Sequence, residues 1–293
     1  MAGSSITPPD IAAAAGTPGE RWPQLGLGTW RLGENAARRG AEVAAVRQAL
    51  DIGYRLIDTA EMYGEGGAEQ VVGQALAEAR RGGLAGEAVF VVSKAYPQHA
   101  DPAGLLAACA RSRQRLQIDC IDLYLLHWRG SVPLAATVDG MQALQRRGWI
   151  RHWGVSNFDV DDLEELAGVP GGELCAANQV YFSLGARGAG FDLLPWQRQR
   201  ALPLMAYSPL DQGALAGHPA LREIAARHRV TPAQMALAWV LAQPGVMAIP
   251  KSVRAEHLRD NWQAQAVVLS AADHDQLDRL FPPPAAKAAL AML

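Results

Sequence analysis

The segment YRLIDTAEMY, residues 54–63, runs through β-favouring residues to an acid, Asp58, and sets a phenol, Tyr63, five positions later. Each has an ordinary reading, Asp58 as a cap for the next helix and Tyr63 as a half-buried loop aromatic. Downstream, two further apolar runs end in groups that act on a phenol: VFVVSK ends in Lys94 and DLYLLH ends in His127. Tyrosine is a poor acid near neutral pH, with an unperturbed pKa of about 10. A neighbouring ammonium lowers that value by stabilising the phenolate, and a carboxylate that holds the ammonium keeps the charge in place. Asp58, Lys94 and Tyr63 can form such a chain. His127 then directs a substrate carbonyl towards the phenol, as donor or electrophile rather than as base. A carbonyl polarised in this way accepts hydride, which no side chain supplies, so the chemistry calls for a redox cofactor.

These residues need a scaffold that carries them to one rim. Strands are expected at residues 25–30, 54–60, 89–95, 121–127, 150–156, 174–182, 202–208 and 246–250. Helical periodicity falls between them at 42–52, 67–81, 101–116, 137–147 and 159–166, then more weakly through Trp196 and Arg200, and again at 220–228 and 232–242. The strands are continuous apolar runs, as expected when helices cover one face and a core fills the other. Eight β/α repeats predict an α/β fold of the (β/α)8 TIM barrel type rather than a doubly wound sheet. Gly64-Glu65-Gly66-Gly67 lacks the GxGxxG spacing, which disfavours a Rossmann domain. Residues 1–20, rich in Ala, Ser, Pro and Gly, are expected to be a mobile lead-in, and residues 21–293 one barrel domain.

In such a barrel the reactive groups project from the C-terminal ends of the strands. Those ends carry Thr29 and Trp30, Asp58 with Tyr63, Lys94, His127 with Trp128, Ser156 and Asn157, Asn178 and Gln179, Tyr207 and Ser208, and Lys251 and Ser252. Singly, Ser156 and Asn157 also read as caps before the 159–166 helix, Gln179 as a satisfied barrel polar group and His127 as a core histidine. The equipment of all eight ends at once is what points to a site.

Composition bounds the alternatives. With 27 basic and 29 acidic residues the formal charge is -2, and basic residues gather only in pairs such as Arg38-Arg39, so no nucleic-acid partner is expected. Cys109, Cys120 and Cys175, like His99, His218 and His228, show no metal-ligand spacing, so no metal is expected. No secretory signal and no apolar run of membrane-spanning length is seen, so a cytoplasmic protein is expected.

From about residue 25 onward the sequence resembles the aldo-keto reductases, through LGLGTW, IDTAEMYGEGGAEQVVGQAL, VFVVSK, DLYLLHW, IRHWGVSNF, NQVYFSLG, MAYSPL and IPKS in the family's order. Within the family it is most similar to bacterial reductases of methylglyoxal and related small or aromatic aldehydes. The resemblance implies a catalytic tetrad of Asp58, Tyr63, Lys94 and His127, with Tyr63 as general acid. It implies NADPH bound in an extended pose, with Thr29 and Trp30 beside it. Ser156, Asn157 and Gln179 are then expected on the nicotinamide carboxamide, Tyr207 stacked on the ring, and Ser208 and Leu210 along the pyrophosphate. Lys251 and Ser252 are expected at the adenosine 2′-phosphate and Asn261 at the adenine, with a helix over residues 254–261 whose start also favours phosphate. His257 stands where better-known NADPH-binding members carry an arginine, and Arg254 is the residue that compensates. The preference over NADH is therefore expected to be less steep.

Trp30 and Trp128 are expected to line a snug substrate pocket for a small carbonyl compound, and the short segment after Phe281 implies an open pocket with broad aldehyde scope. A monomer is expected. Two other readings compete. One is a module that binds NADP(H) as a redox signal with negligible turnover, as the β-subunits of potassium channels do. The other is a hydrolase using Asp58, Glu61 and Glu65, although those carboxylates share a single turn and paired acids belong on separate strand ends.

Overall fold

Inward-pointing apolar residues from alternate positions of short parallel strands form the centre of the computed structural model, which describes residues 10–12, 19–85 and 88–293. In chain order the strands are β1 (Asp10–Ala12), β2 (Arg21–Pro23), β3 (Leu27–Gly28), β4 (Leu56–Asp58), β5 (Phe90–Ala95), β6 (Ile121–Leu126), β7 (Ile150–Ser156), β8 (Asn178–Tyr181), β9 (Leu204–Tyr207) and β10 (Val246–Ala248). Strands β3 to β10 pair in sequence, each parallel to the next. The sheet closes where Leu25 bridges Ala248 and the Gly26 and Gly28 N–H groups donate to Ala248 and Pro250 at 2.9 and 3.1 Å. This is the expected (β/α)8 barrel.

Helices α1 (Arg39–Ile52), α2 (Gly67–Arg81), α3 (Pro102–Leu116), α4 (Leu134–Arg146), α5 (Val160–Ala167) and α6 (Leu193–Gln199) each cover one strand-to-strand crossing. Helices α7 (Pro219–His228) and α8 (Pro232–Leu241) share the crossing between β9 and β10, and α9 (Ala255–Gln263) and α10 (Ala271–Leu280) follow β10. Starts are well marked in the sequence. The Asp101 carboxylate accepts from the N–H groups of Ala103 and Gly104, and capping boxes pair Asp159 with Asp162, Thr231 with Gln234 and Ser270 with Asp273.

Strand alternation sorts the core into two layers. Leu56, Val92, Leu123, Leu125, Ala177, Met205, Met247 and Ile249 fill the barrel, whereas Ile57, Tyr124, Leu126, Val155, Val180 and Ala206 pack beneath the helices. One more step of two along each inward row reaches Asp58, Lys94, His127, Gln179, Tyr207 and Lys251. The apolar filling is thus the floor on which those side chains stand.

Two features differ from expectation. Of the stretch expected to be a mobile lead-in, Asp10–Ala12 pairs antiparallel with Arg21–Pro23, and residues 1–9 and 13–18 lie outside the described residues. The hairpin sets fully buried Trp22 against Phe90 and His152, with ring centroids 4.9 and 5.3 Å apart, near the starts of β5 and β7, so it plugs the barrel's N-terminal end. The strand expected over 174–182 is regular only at Asn178–Tyr181: Gly171, at a φ of 85°, leads into a short helical turn at Gly172–Leu174, and Ala176 and Ala177 then bond to β7 at 2.8 and 3.0 Å ahead of the strand proper. Among the described residues no helix is long and apolar enough to cross a membrane.

Candidate active site

Asp58 ends β4 and Lys94 lies in β5, on neighbouring strands and on the inward face. The Lys94 ammonium donates to both Asp58 oxygens at 2.8 Å, to the Thr59 carbonyl at 2.9 Å and to the Tyr63 hydroxyl at 3.1 Å. Tyr63 arrives from the turn after β4, where Gly64 and Glu65 adopt left-handed backbone. A Cβ at Gly67 would collide with the Gly33 backbone, so that glycine lets this turn nest against the loop after β3. His127 follows β6 and presents its ring edge-on to Tyr63, centroids 5.7 Å apart. The four residues of the expected tetrad therefore meet. Asp58 does not cap a helix; its carboxylate is spent on Lys94 and Gln179.

Burial sets the electrostatics. It pushes the Asp58 carboxyl up and the Lys94 ammonium down, and their mutual attraction opposes both shifts. Behind Lys94, fully buried Glu69 of α2 accepts from Ser93 Oγ at 2.6 Å and Arg115 Nη1 at 3.0 Å. Burial, then the Asp58 charge, hold the Tyr63 phenol well above its ordinary value. The shift runs opposite to the one expected from Lys94: in the protein alone burial and the Asp58 charge dominate, and the phenol keeps its proton. Burial first and Lys94 second hold His127 well below its ordinary value, so the ring is neutral at neutral pH. Its Nδ1 is buried with no hydrogen-bond partner among the described residues.

A second group lines the rim over β7 to β9. Ser156 pairs in register with Gln179. Asn157, at a φ of 59°, donates from Nδ2 to the His127 carbonyl at 3.1 Å and to Ser156 Oγ at 3.2 Å, while its Oδ1 accepts from the Tyr207 hydroxyl at 3.0 Å. Asp159, not Ser156 or Asn157, caps α5. Gln179 donates to Asp58 at 2.7 Å. Burial first pushes the Tyr207 phenol up to about 12. Ser208, Asp211 and Gln212 all have left-handed backbone in the loop that also carries Leu210. Such strain clusters where a loop must hold a particular shape.

The remaining expected residues are placed less uniformly. Thr29 is fully buried and spends its hydroxyl on the Asp58 carbonyl at 2.9 Å. Trp30 is half-buried beneath the Arg31 guanidinium, 4.4 Å from its centroid, and Trp128 packs on His127 and Tyr96 at 4.9 and 6.0 Å. Lys251 is exposed, with Arg31, Arg38, Glu34 and Glu42 in electrostatic reach. Ser252 Oγ accepts from the N–H of Arg254, the exposed residue just before α9, at 3.1 Å, and on α9 His257 is exposed and Asn261 buried.

Sequence reasoning missed Tyr96, Tyr181 and the clamp formed by Glu61. Tyr96 and Tyr181 lie one step of two beyond Lys94 and Gln179, so carrying the strand alternation further would have found them. Tyr181 stacks on Tyr207, centroids 5.8 Å apart. Glu61 Oε1 accepts from the Tyr96 N–H and bonds His99 Nδ1, both at 2.8 Å, and Oε2 accepts from Arg111 at 3.3 Å. Glu65 accepts from the Tyr96 hydroxyl at 3.2 Å. Asp58, Glu61 and Glu65 are thus each committed to structural partners, and among the described residues no cluster of His, Cys, Asp and Glu is placed to hold a metal. The segment after Phe281 reaches the rim: Lys287 bridges Asp159 and Asp192 at 2.6 and 2.8 Å, and the Leu293 N–H donates to the Tyr207 hydroxyl at 3.4 Å.

The model of the aldo/keto reductase family matches residues 24–281. The chain is 48% identical over 276 residues to the methylglyoxal reductase YeaE of Escherichia coli (strain K12), covering 92% of this chain and 95% of that protein. It is 36% identical over 263 residues to the glyoxal reductase of Bacillus subtilis (strain 168), covering 89% and 90% of the two. Among solved structures, an aldo-keto reductase from Klebsiella pneumoniae in complex with NADPH superposes with a TM-score of 0.91 at 46% identity, covering 98% of this chain and 100% of that one.

Proposed function

The chain belongs to the aldo/keto reductase family, and from that premise we propose that it is an NADPH-dependent oxidoreductase that reduces the carbonyl of small aldehydes and 2-oxoaldehydes to alcohols. The observation that carries the reading is the Lys94 ammonium, held by both Asp58 oxygens and 3.1 Å from the Tyr63 hydroxyl on the C-terminal rim. Methylglyoxal and glyoxal, named for the relatives, set the substrate class, and aromatic aldehydes extend it.

The residues present fit the cofactor. Ser156, Asn157 and Gln179 place polar groups side by side for a carboxamide, half-buried Tyr207 offers a ring, and Ser208 and Leu210 follow it. Lys251, with Arg31 and Arg38 in reach and Ser252, Arg254, His257 and Asn261 on or just before α9, suits a phosphate-bearing adenosine. When bound, NADPH supplies the hydride.

The protein's own part is proton delivery and orientation. Tyr63 is a full proton donor because burial keeps its phenol protonated. As the carbonyl oxygen gains charge it takes that proton, and Lys94 stabilises the phenolate left behind. His127, neutral at work, polarises the same oxygen as a hydrogen-bond donor without competing as an acid. Trp128 and Tyr96 meet edge to face beside His127 and wall one side of the approach. The intact acid chain favours an enzyme over a redox-sensing module. We place it in the cytoplasm as a monomer, one barrel over residues 21–293, in keeping with its three unpaired cysteines.

The test is the initial rate of NADPH and NADH oxidation with methylglyoxal and benzaldehyde, for the wild type and Tyr63→Phe. Turnover with NADPH should fall by about a hundredfold or more in the variant, the usual scale of general-acid catalysis, with NADPH affinity retained. Retained NADPH binding with no wild-type turnover would instead make the chain a sensor.

A further inference from the structure

Gln179 faces an acid. It is 1% exposed, and from β8 its Nε2 lies 2.7 Å from Asp58 Oδ1 on β4, across the barrel. An ionised carboxylate only accepts hydrogen bonds, so the atom turned to Asp58 is the amide nitrogen. Nε2 also lies 2.9 Å from Met205 Sδ. Among the described residues no hydrogen bond reaches the amide oxygen.

The count of hydrogens gives this contact its meaning. An ammonium has three N–H groups, yet four acceptors lie within 3.1 Å of Lys94 Nζ: the two Asp58 oxygens, the Thr59 carbonyl and the Tyr63 hydroxyl. They compete. A donor from elsewhere on Asp58 Oδ1 reduces that oxygen's claim on the lysine. Gln179 is such a donor.

We propose that Gln179, beyond the carboxamide contact already expected of it, is a positioning residue of the proton-donor chain: its Nε2–H occupies Asp58 Oδ1 and releases a Lys94 N–H to the Tyr63 oxygen, leaving its Oε1 for the nicotinamide carboxamide. The proposal rests on the reductase reading and joins its two halves. An amide that accepts at oxygen donates more strongly at nitrogen, so an occupied nicotinamide seat strengthens the hold on Asp58. The charged and titratable groups around the phenol are Asp58 on β4, Lys94 on β5, His127 after β6 and Tyr207 on β9, with Glu69 of α2 behind the lysine. Gln179 acts on this set through Asp58.

A double-mutant cycle on the full chain tests it, using Gln179→Met and Asp58→Asn. The readouts are kcat for methylglyoxal at saturating NADPH and NADPH affinity by fluorescence. Gln179→Met should lower kcat by about tenfold in the wild-type background, the scale of one hydrogen bond to a charged group, and by less than about twofold beside Asp58→Asn, where the charge it serves is gone. NADPH affinity should weaken in both backgrounds. Losses of kcat that multiply across the cycle would overturn the proposal, as would an unchanged kcat with only NADPH affinity reduced. Gln179→Asn, which withdraws the amide by one methylene, serves if the Met variant does not fold. If the wild type turns over no carbonyl, the reductase reading fails on its own. The contact is then judged by urea unfolding of the four cofactor-free proteins, where strict additivity would refute it.

Discussion

At the scale of single residues the site separates two kinds of group by burial. Tyr63 is held protonated and His127 neutral, which suits the one to give a proton and the other only a hydrogen bond. The same burial has a consequence for stability. Unfolded His127 titrates near the ordinary value of about 6.5, whereas folded His127 takes up a proton only at lower pH. Below about 6.5 the unfolded state therefore binds more protons, and stability falls as pH drops towards the lowered folded value. Thermal unfolding between pH 7.5 and 5 should show a steeper acid loss in the wild type than in His127→Asn. Equal slopes would mean that the imidazole is solvated. The acid chain was legible because its members end apolar runs, each of a type that tunes a phenol. The direction of the Tyr63 shift was not, since desolvation depends on packing that residue type does not report. Nor was the second bond of Asp58, because Gln179 lies 121 positions away and meets it only once the barrel closes.

At the scale of elements the barrel is built as a floor with a plug beneath it. The helices from residue 67 and residue 102 were readable almost to the residue, through glycines after one and Asp101 before the other. Hairpin β1–β2 was not, because its first strand is three residues long and lies in an Ala- and Pro-rich stretch without alternation. Its worth lies in Trp22, fully buried against Phe90 and His152 and bonded from Nε1 to Glu20 at 3.2 Å. Truncating such a ring leaves a cavity that neighbours cannot refill, at a cost of about 3–5 kcal/mol. Trp22→Ala should lower the urea midpoint accordingly while leaving kcat near wild type below the melting range, since the barrel filling separates the plug from the rim. A stability loss under about 1 kcal/mol would show that the hairpin does not seal the barrel.

At the scale of the whole molecule the fold divides labour around the rim. On the proposed reading, strands β4 to β6 carry the proton chain, β7 to β9 the nicotinamide seat, and the end of β10 with α9 the phosphate seat. A cofactor that spans the last two joins segments far apart in sequence, so binding should stabilise the chain as a unit. By mass action a ligand at about 100 times its Kd adds about 2.7 kcal/mol to unfolding. NADPH and NADH differ only at the adenosine 2′-phosphate, so on the proposed assignment the difference between their melting shifts isolates the group at Lys251. Partial burial first holds the Lys251 ammonium below its ordinary value, and charge of both signs crowds it: Glu42 and Glu34 favour its protonation, and Arg31 and Arg38 oppose it. The exposure of its side chain lets solvent screen the interaction, and His257 lacks the fork of donors an arginine would bring. A moderate preference for NADPH is therefore expected. Lys251→Met should reduce NADPH affinity by about tenfold, the scale of one charge-assisted hydrogen bond, and leave NADH affinity unchanged. It should bring the two melting shifts close together, and raising the salt concentration should do the same to the wild type. Should the variant weaken both nucleotides alike, Lys251 serves the shared pyrophosphate instead, and discrimination must come from Arg254 and its neighbours on α9.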